Sequence, residues 1–441
     1  MLKRFIGLLV VLIIVAGAAY GMIACDDTGD DNPIDTPPER PAADNIYSDN
    51  GYVDYASEVI YDTEKFPDLA SHGLFWTKWN ESTEQMDTFR ADTEEGAALV
   101  DPSKPTLIMV HGMLGEAKGS SNQERFYLNR DIATPSEFGL TTSDVSLGRL
   151  WQLEGWNVAY FHYNSFTSEG ANFHIVESKI WATNGPQGMG FRNSEGELEQ
   201  ASEYTVSEHF AADYIRAMKL LPDTMGDQEI RIAVHSMGGV VGTTGVFLLT
   251  ELAEHGQLPE KQLPNRLALL DPFFGVKIEL NGKVVLSSFT NLIIRWSGKP
   301  LYQESTGASM LECVKAMTHK GIAVEFYGYK QSWVMGIITP AIKAGLQQYA
   351  TYVIVSPDWK SYSSKYSITF NGHNGVRDWY FCSIVAPPVL DVSEGVEEGA
   401  FAASASTPTE YLREKLAGVT FTIAEGAETI PADDDLFIRE N

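Results

Sequence analysis

Apolar and polar positions along the 441-residue chain alternate between two patterns. Short, largely apolar runs occupy residues 106–111, 156–162, 231–235, 266–270, 321–329 and 352–355. Runs of that length and character suit strands buried on both faces. Between them lie stretches with apolar residues every three or four positions, near 147–154, 206–221, 238–254, 307–317 and 336–348. The second of these is well marked. Thr205 and Glu208 form a capping box, Val206, Phe210, Tyr214, Met218 and Leu221 lie near one stripe, and Pro222 ends the helix. Gly256 supplies a similar stop for the third. The alternation from Thr106 to Phe381 predicts a mostly parallel central sheet with helices on both faces.

Two features frame that sheet. Residues 73–79 and 85–90 read as an N-terminal antiparallel hairpin at a sheet edge. Two inserted loops interrupt the regular order. Residues 164–200 carry Phe166, Phe173, Trp181, Met189 and Phe191, more apolar bulk than a solvated loop holds. Leaving such side chains in water costs about 1.5–3 kcal/mol each, so they either pack on the body or wall a cleft. Asn281-Gly282, flanked by alternating residues, predicts a second hairpin. The division expected is a signal peptide over 1–24, an acidic tether over 25–50, one domain over 51–386, and an extension over 387–441 to which the sequence assigns no role. One helix, 408–416 capped by Thr407, stands out in that extension.

The front end changes the picture of location. Lys3 and Arg4 precede an apolar run over residues 5–19, as in a secretory signal. Met22-Ile23-Ala24-Cys25 follows and resembles a bacterial lipobox, with Met22 in place of the usual leucine. The resemblance implies a lipid on Cys25 and a body in the bacterial cell envelope, facing the periplasm or the exterior. An uncleaved membrane anchor is the alternative, because residues 5–24 are long enough to span a bilayer. Residues 26–43 are acidic, rich in proline and poor in large apolar side chains, which suits a tether.

The formal charge of −27 argues against nucleic acid as a partner. No cysteine or histidine spacing resembles a metal site, and no cofactor is implied. If Cys25 is lipidated, Cys313 and Cys382 remain, either paired or as two buried thiols.

The chemistry centres on Val234-His235-Ser236-Met237-Gly238, where a buried strand meets a helix with no intervening loop. A hydroxyl on so sharp a turn is lifted clear of the sheet, and the residue two after it must be very small, as Gly238 is. This resembles the G-x-S-x-G nucleophile elbow of α/β-hydrolases, with Val234 where glycine is usual. The resemblance implies the α/β-hydrolase fold and a histidine and acid later in the chain. The usual acid position follows the second strand after the elbow. Between Gly321 and Ala350 the sole carboxylate is Glu325, in mid-strand. The preceding strand ends in Asp271.

Leu269-Leu270-Asp271-Pro272 is similar to the Leu-Asp-Pro of pancreatic-lipase-type enzymes, and residues 373–384 resemble their histidine segment, a histidine opening an aromatic-rich helix that ends near Ser-Ile. His111-Gly112 and His235-Ser236 match their oxyanion and elbow segments. The resemblance spans roughly residues 106–384. It implies Ser236 as nucleophile, His373 as base, Asp271 as the acid that orients it, and backbone N–H groups of Met113 and Met237 as an oxyanion hole. It also implies carboxylic esters, lipid-like in kind, as substrates. Asp358 is the rival acid, and His255 and His319 are rival bases. His111 and His235 read as buried residues that brace the site. Another acyl substrate (amide, thioester or polyester) and a non-catalytic binding domain are the alternative functions.

Overall fold

The computed structural model describes residues 72–113, 127–128, 145–167, 173–181, 189–192, 198–200, 204–274, 279–280, 283–284, 306–332, 338–357, 368–391, 401–425 and 432–440. Cys25, the tether and the rival acid Asp358 lie outside them.

One sheet of eleven strands organises the described residues. In chain order its strands are β1 (Gly73–Asn80), β2 (Gln85–Arg90), β3 (Thr106–Val110), β4 (Asn157–His162), β5 (Ile230–His235), β6 (Arg266–Leu270), β7 (Ala323–Tyr329), β8 (Thr351–Val355), β9 (Val389–Leu390), β10 (Thr420–Glu425) and β11 (Leu436–Glu440). Their order across the sheet is β9-β11-β10-β8-β7-β6-β5-β3-β4-β1-β2. From β10 to β4 all neighbours are parallel. The β1–β2 hairpin adds an antiparallel edge beside β4.

Among the described residues the helices of seven residues or more are α1 (Leu147–Leu153), α2 (Phe173–Trp181), α3 (Val206–Lys219), α4 (Gly238–Glu254), α5 (Thr306–His319), α6 (Pro340–Tyr349) and α7 (Ile368–Cys382). Thr205 and Glu208 form the expected reciprocal cap on α3. Successive strand residues divide between two cores. Ile108 and Val110 join one that includes residues of α2 to α6, whereas Leu107 and Met109 join another with α1, α7 and the C-terminal residues. This alternation follows from the two-residue period of a strand. With its parallel strands, two helical layers and strand-to-helix turn after β5, the chain has the α/β-hydrolase fold.

In the loop over 164–200, Trp181 and Met189 are fully buried and belong to the first core, so they pack on the body and do not wall a cleft. Phe173 and Phe191 have side chains outside the described set. Around Asn281-Gly282, Glu279–Leu280 and Lys283–Val284 pair antiparallel. Cys313 and Cys382 are free, buried thiols in the two different cores, so the sheet separates them. Burial pushes both thiols up.

The residues after 387 build part of the sheet, supplying β9, β10 and β11. Thr409–Tyr411 is helical and a wider, π-type turn follows over Leu412–Leu416. Thr407 does not cap it: its hydroxyl accepts the Ser404 N–H at 3.0 Å and donates to the Ala402 carbonyl. The segment 402–407 is anchored by charge. Arg266 on β6 makes a two-pronged pair with Glu325 on β7 at 2.6 and 2.8 Å, and also donates to the Thr407 and Ser404 carbonyls. Tyr327 and Tyr380 donate their hydroxyls to the same carboxylate, each at 2.7 Å. Arg231 on β5 reaches the Ala405 carbonyl at 2.6 Å. Glu325 is thus occupied in holding the C-terminal segment to the sheet.

Candidate active site

The elbow forms where β5 ends. Ser236 has φ +55°, a left-handed value that a side chain adopts only under constraint. The constraint is visible. Its N–H donates to the Leu270 carbonyl at 3.2 Å, and its carbonyl accepts from Gly239 and Phe273 at 2.9 and 2.8 Å. Gly238 is required by a close approach. A Cβ there would lie 2.6 Å from the Val110 carbonyl oxygen and even nearer that of His111. The loop after β3 and the elbow therefore touch backbone to backbone.

Val234 finds its room in the helix. A Cβ on Gly242 would run into the Val234 Cγ1, so a glycine six residues beyond the serine makes the space that is usually made two residues before it. This compensation was in the sequence as Gly242 but had no meaning until helix and strand were juxtaposed.

Asp271 stands beside Ser236 by register. β5 and β6 are parallel with His235 opposite Leu270, so the next residue on each strand is Ser236 and Asp271. Asp271 has φ +40°, and among the described residues the third non-glycine with positive φ is Glu84, in the β1–β2 turn. Backbone strain is thus concentrated at these two strand ends. The Asp271 carboxylate is completely buried. Its Oδ2 accepts His373 Nδ1–H at 2.5 Å and Ser332 Oγ–H at 2.6 Å, while Oδ1 accepts the Tyr329 N–H at 3.1 Å. With Nδ1 donating, the neutral imidazole keeps Nε2 as an acceptor.

His373 lies in the second turn of α7, not at its start as expected, because the helix begins at Ile368. Gly372 lets that helix come close to β7. A Cβ there would lie 2.6 Å from Tyr329 Cδ1, with other ring atoms nearer still. His235 adds a brace: its ring lies 4.5 Å from that of His373 and its Nε2–H donates to the His373 carbonyl at 3.2 Å. His111 is fully buried, accepts the Tyr163 N–H on Nε2 at 3.0 Å and donates from Nδ1 to the Gly112 carbonyl at 2.5 Å. Tyr163 donates its phenol O–H to the His111 carbonyl at 2.8 Å, tying down the same loop.

Met237 directly precedes α4, where the first N–H groups of a helix have no partner within it and the dipole favours negative charge. Met113, on the loop after β3, is partly buried against the first core. The rival bases are placed elsewhere. His255 is exposed at the far end of the 17-residue α4, about 25 Å along the helix from the elbow at 1.5 Å per residue. His319 ends α5 and lies edge-on to Tyr349.

Ser332 was missed in the sequence. Its signal was indirect: it follows β7, at the strand end where the acid usually stands, and a lone serine after a strand marks no chemistry by itself.

No protein-family model matches the chain, and no curated protein matches it. Among solved structures, a hormone-sensitive lipase from a metagenome library is similar at 15 % identity over 63 % of this chain and 70 % of that one, with TM-score 0.26. Esterase B from Lactobacillus rhamnosis is similar at 11 % over 66 % and 77 %, with TM-score 0.29. A thioesterase domain from the curacin biosynthetic pathway is similar at 13 % over 64 % and 92 %, with TM-score 0.27. The strand order and the turn at Ser236 define the fold of this chain.

Proposed function

We propose that the protein is a serine hydrolase that cleaves carboxylic esters through an acyl-enzyme on Ser236. The observation that carries the reading is the 2.5 Å bond from His373 Nδ1 to an Asp271 carboxylate held one strand from the Ser236 elbow. In the reaction, Ser236 Oγ attacks the acyl carbon and gives its proton to His373 Nε2. Asp271 fixes the imidazole tautomer and stabilises the imidazolium. The oxyanion takes hydrogen bonds from the Met237 and Met113 N–H groups, and the helix dipole of α4 favours its charge. His373 then protonates the leaving alcohol, and water repeats the sequence to release the acid.

A fluorophosphonate probe and p-nitrophenyl esters of rising chain length test this. Wild type should be labelled and should turn over esters, and Ser236→Ala should do neither. A folded wild type that resists the probe would leave a binding domain as the better reading. Labelling with turnover of amides or thioesters only would move the substrate class and keep the nucleophile.

The same proposal places the protein in a bacterial envelope, tethered to a membrane by lipid on Cys25. Support comes from the basic, apolar and Ala24-Cys25 order of the first residues. Cys25→Ser should abolish incorporation of labelled fatty acid and leave a larger precursor. Unchanged mass and membrane association would favour a plain hydrophobic anchor.

A further inference from the structure

The three hydrogen bonds to Asp271 come from three places, and two converge on one oxygen. Oδ2 receives both His373 Nδ1–H and Ser332 Oγ–H, while the Tyr329 N–H holds Oδ1. A carboxylate can turn about its terminal torsion, which has broad minima. The Tyr329 contact holds one oxygen. The Ser332 contact holds the other in the position from which it meets the imidazole. Ser332 is itself fixed, buried in a turn in which its N–H donates to the Tyr329 carbonyl at 2.9 Å. Its hydroxyl is directed by the end of β7 toward an acid supplied by β6.

We propose that Ser332 is a positioning residue for the His373–Asp271 pair, setting both the direction of the Oδ2 acceptor and its strength. This rests on the reading of Ser236, His373 and Asp271 as a catalytic relay. A hydroxyl donor on Oδ2 favours the ionised carboxylate and withdraws electron density from the atom facing His373. Removing it leaves Oδ2 a more basic partner for the imidazolium, so His373 holds its proton more tightly. It also leaves the carboxylate freer to turn, so the imidazole is less often aligned for proton transfer. The first effect moves a titration and the second lowers turnover. A serine that merely closed a turn would produce neither without loss of stability.

The test compares wild type, Ser332→Ala and Ser332→Thr from pH 5 to 9, with p-nitrophenyl butyrate as substrate. Ser332→Ala should lower kcat about tenfold, the loss expected for one hydrogen bond to a charged group. KM should stay unchanged and the acid limb of kcat/KM should move to higher pH. Ser332→Thr, which keeps the hydroxyl, should restore most of the rate and return the limb. Titration of the His373 ring by NMR in histidine-labelled protein reads the same contact without substrate, and should rise in Ser332→Ala and not in Ser332→Thr. An unmoved His373 titration in a folded Ser332→Ala protein overturns the proposal, as does failure of threonine to restore it. If the titration moves as expected while wild type is neither labelled by fluorophosphonate nor active on esters, the contact stands and the hydrolase reading fails.

Discussion

Val234 and Gly242 occupy one space: a Cβ on Gly242 would meet the Val234 Cγ1 and lie 3.3 Å from its Cβ. The strand before the Ser236 turn and the helix after it are held apart by one side chain, and the glycine that makes room for it sits on the helix. Gly242→Ala should therefore overpack the junction and destabilise the protein by about 1–3 kcal/mol. Val234→Ala in the same chain should recover a large part of that loss. Urea unfolding of the four proteins in the cycle checks it, and strictly additive losses would show that the two positions share no contact.

Asp271→Asn should keep the fold and lower kcat by about 10⁴-fold, as for an acid that sets the tautomer of its histidine. The carboxamide has one acceptor oxygen where the carboxylate offers two, yet three donors converge on the site. An NH₂ group facing His373 would favour the tautomer whose Nε2 carries the proton, which cannot act as base. Asp358→Asn should retain wild-type kcat. The reverse result, an active Asp271→Asn and an inactive Asp358→Asn, would transfer the role of acid to Asp358.

The Arg266–Glu325 pair is completely buried. Glu325→Gln should cost about 3–5 kcal/mol, because it leaves the guanidinium without a compensating charge. Replacing both partners, as Arg266→Met with Glu325→Leu, should cost less than either single change, since no buried charge remains. The double change also removes the anchors of the Ser404 and Thr407 carbonyls. Limited proteolysis of segment 401–407 should therefore quicken in it, even if global stability is kept.

His72 should make the folded state less stable in acid. Its ring is buried edge-on against Phe161, Phe166 and His209, and among the described residues neither nitrogen has a hydrogen-bond partner. Burial pushes its pKa well below the ordinary value of 6.5, with His209, His162, Arg90 and Arg216 adding to the effect. A histidine with a depressed folded value loses stability as pH falls below 6.5, because the unfolded chain takes up a proton that the folded one refuses. His209 acts in the same direction, held by burial at about 3. Asp213 acts in the opposite direction, since burial raises it to about 6 and its ionised form is the costly one. His72→Phe should be more stable than wild type at pH 7 by about 1–2 kcal/mol, as two unpaired polar atoms are removed. The gap should widen as pH falls from 7 to 5. Thermal melts across that range measure it, and a constant or shrinking gap would contradict the assignment.

The sequence alone determined the order of strands and helices and the elbow, because periods of 2 and 3.6 and the tightness of a strand-to-helix turn are local properties. Buried strands such as β3 and β6 read directly as apolar runs, and Thr205 and Glu208 announced their cap. The pairing of Asp271 with His373, 102 residues apart, rested on resemblance and needed the sheet to bring it to 2.5 Å. What the chain order could not contain was register and close approach. Only parallel pairing of β5 and β6 sets Ser236 beside Asp271, and only the end of β7 aims Ser332 at the same carboxylate. The residues after 387 showed one helix and no strands in the sequence, because short edge strands such as β9 carry too few residues to show a period. Their place was decided by partners far away in sequence, the hydrogen bonds from β10 to β8 and the buried arginines that hold segment 402–407.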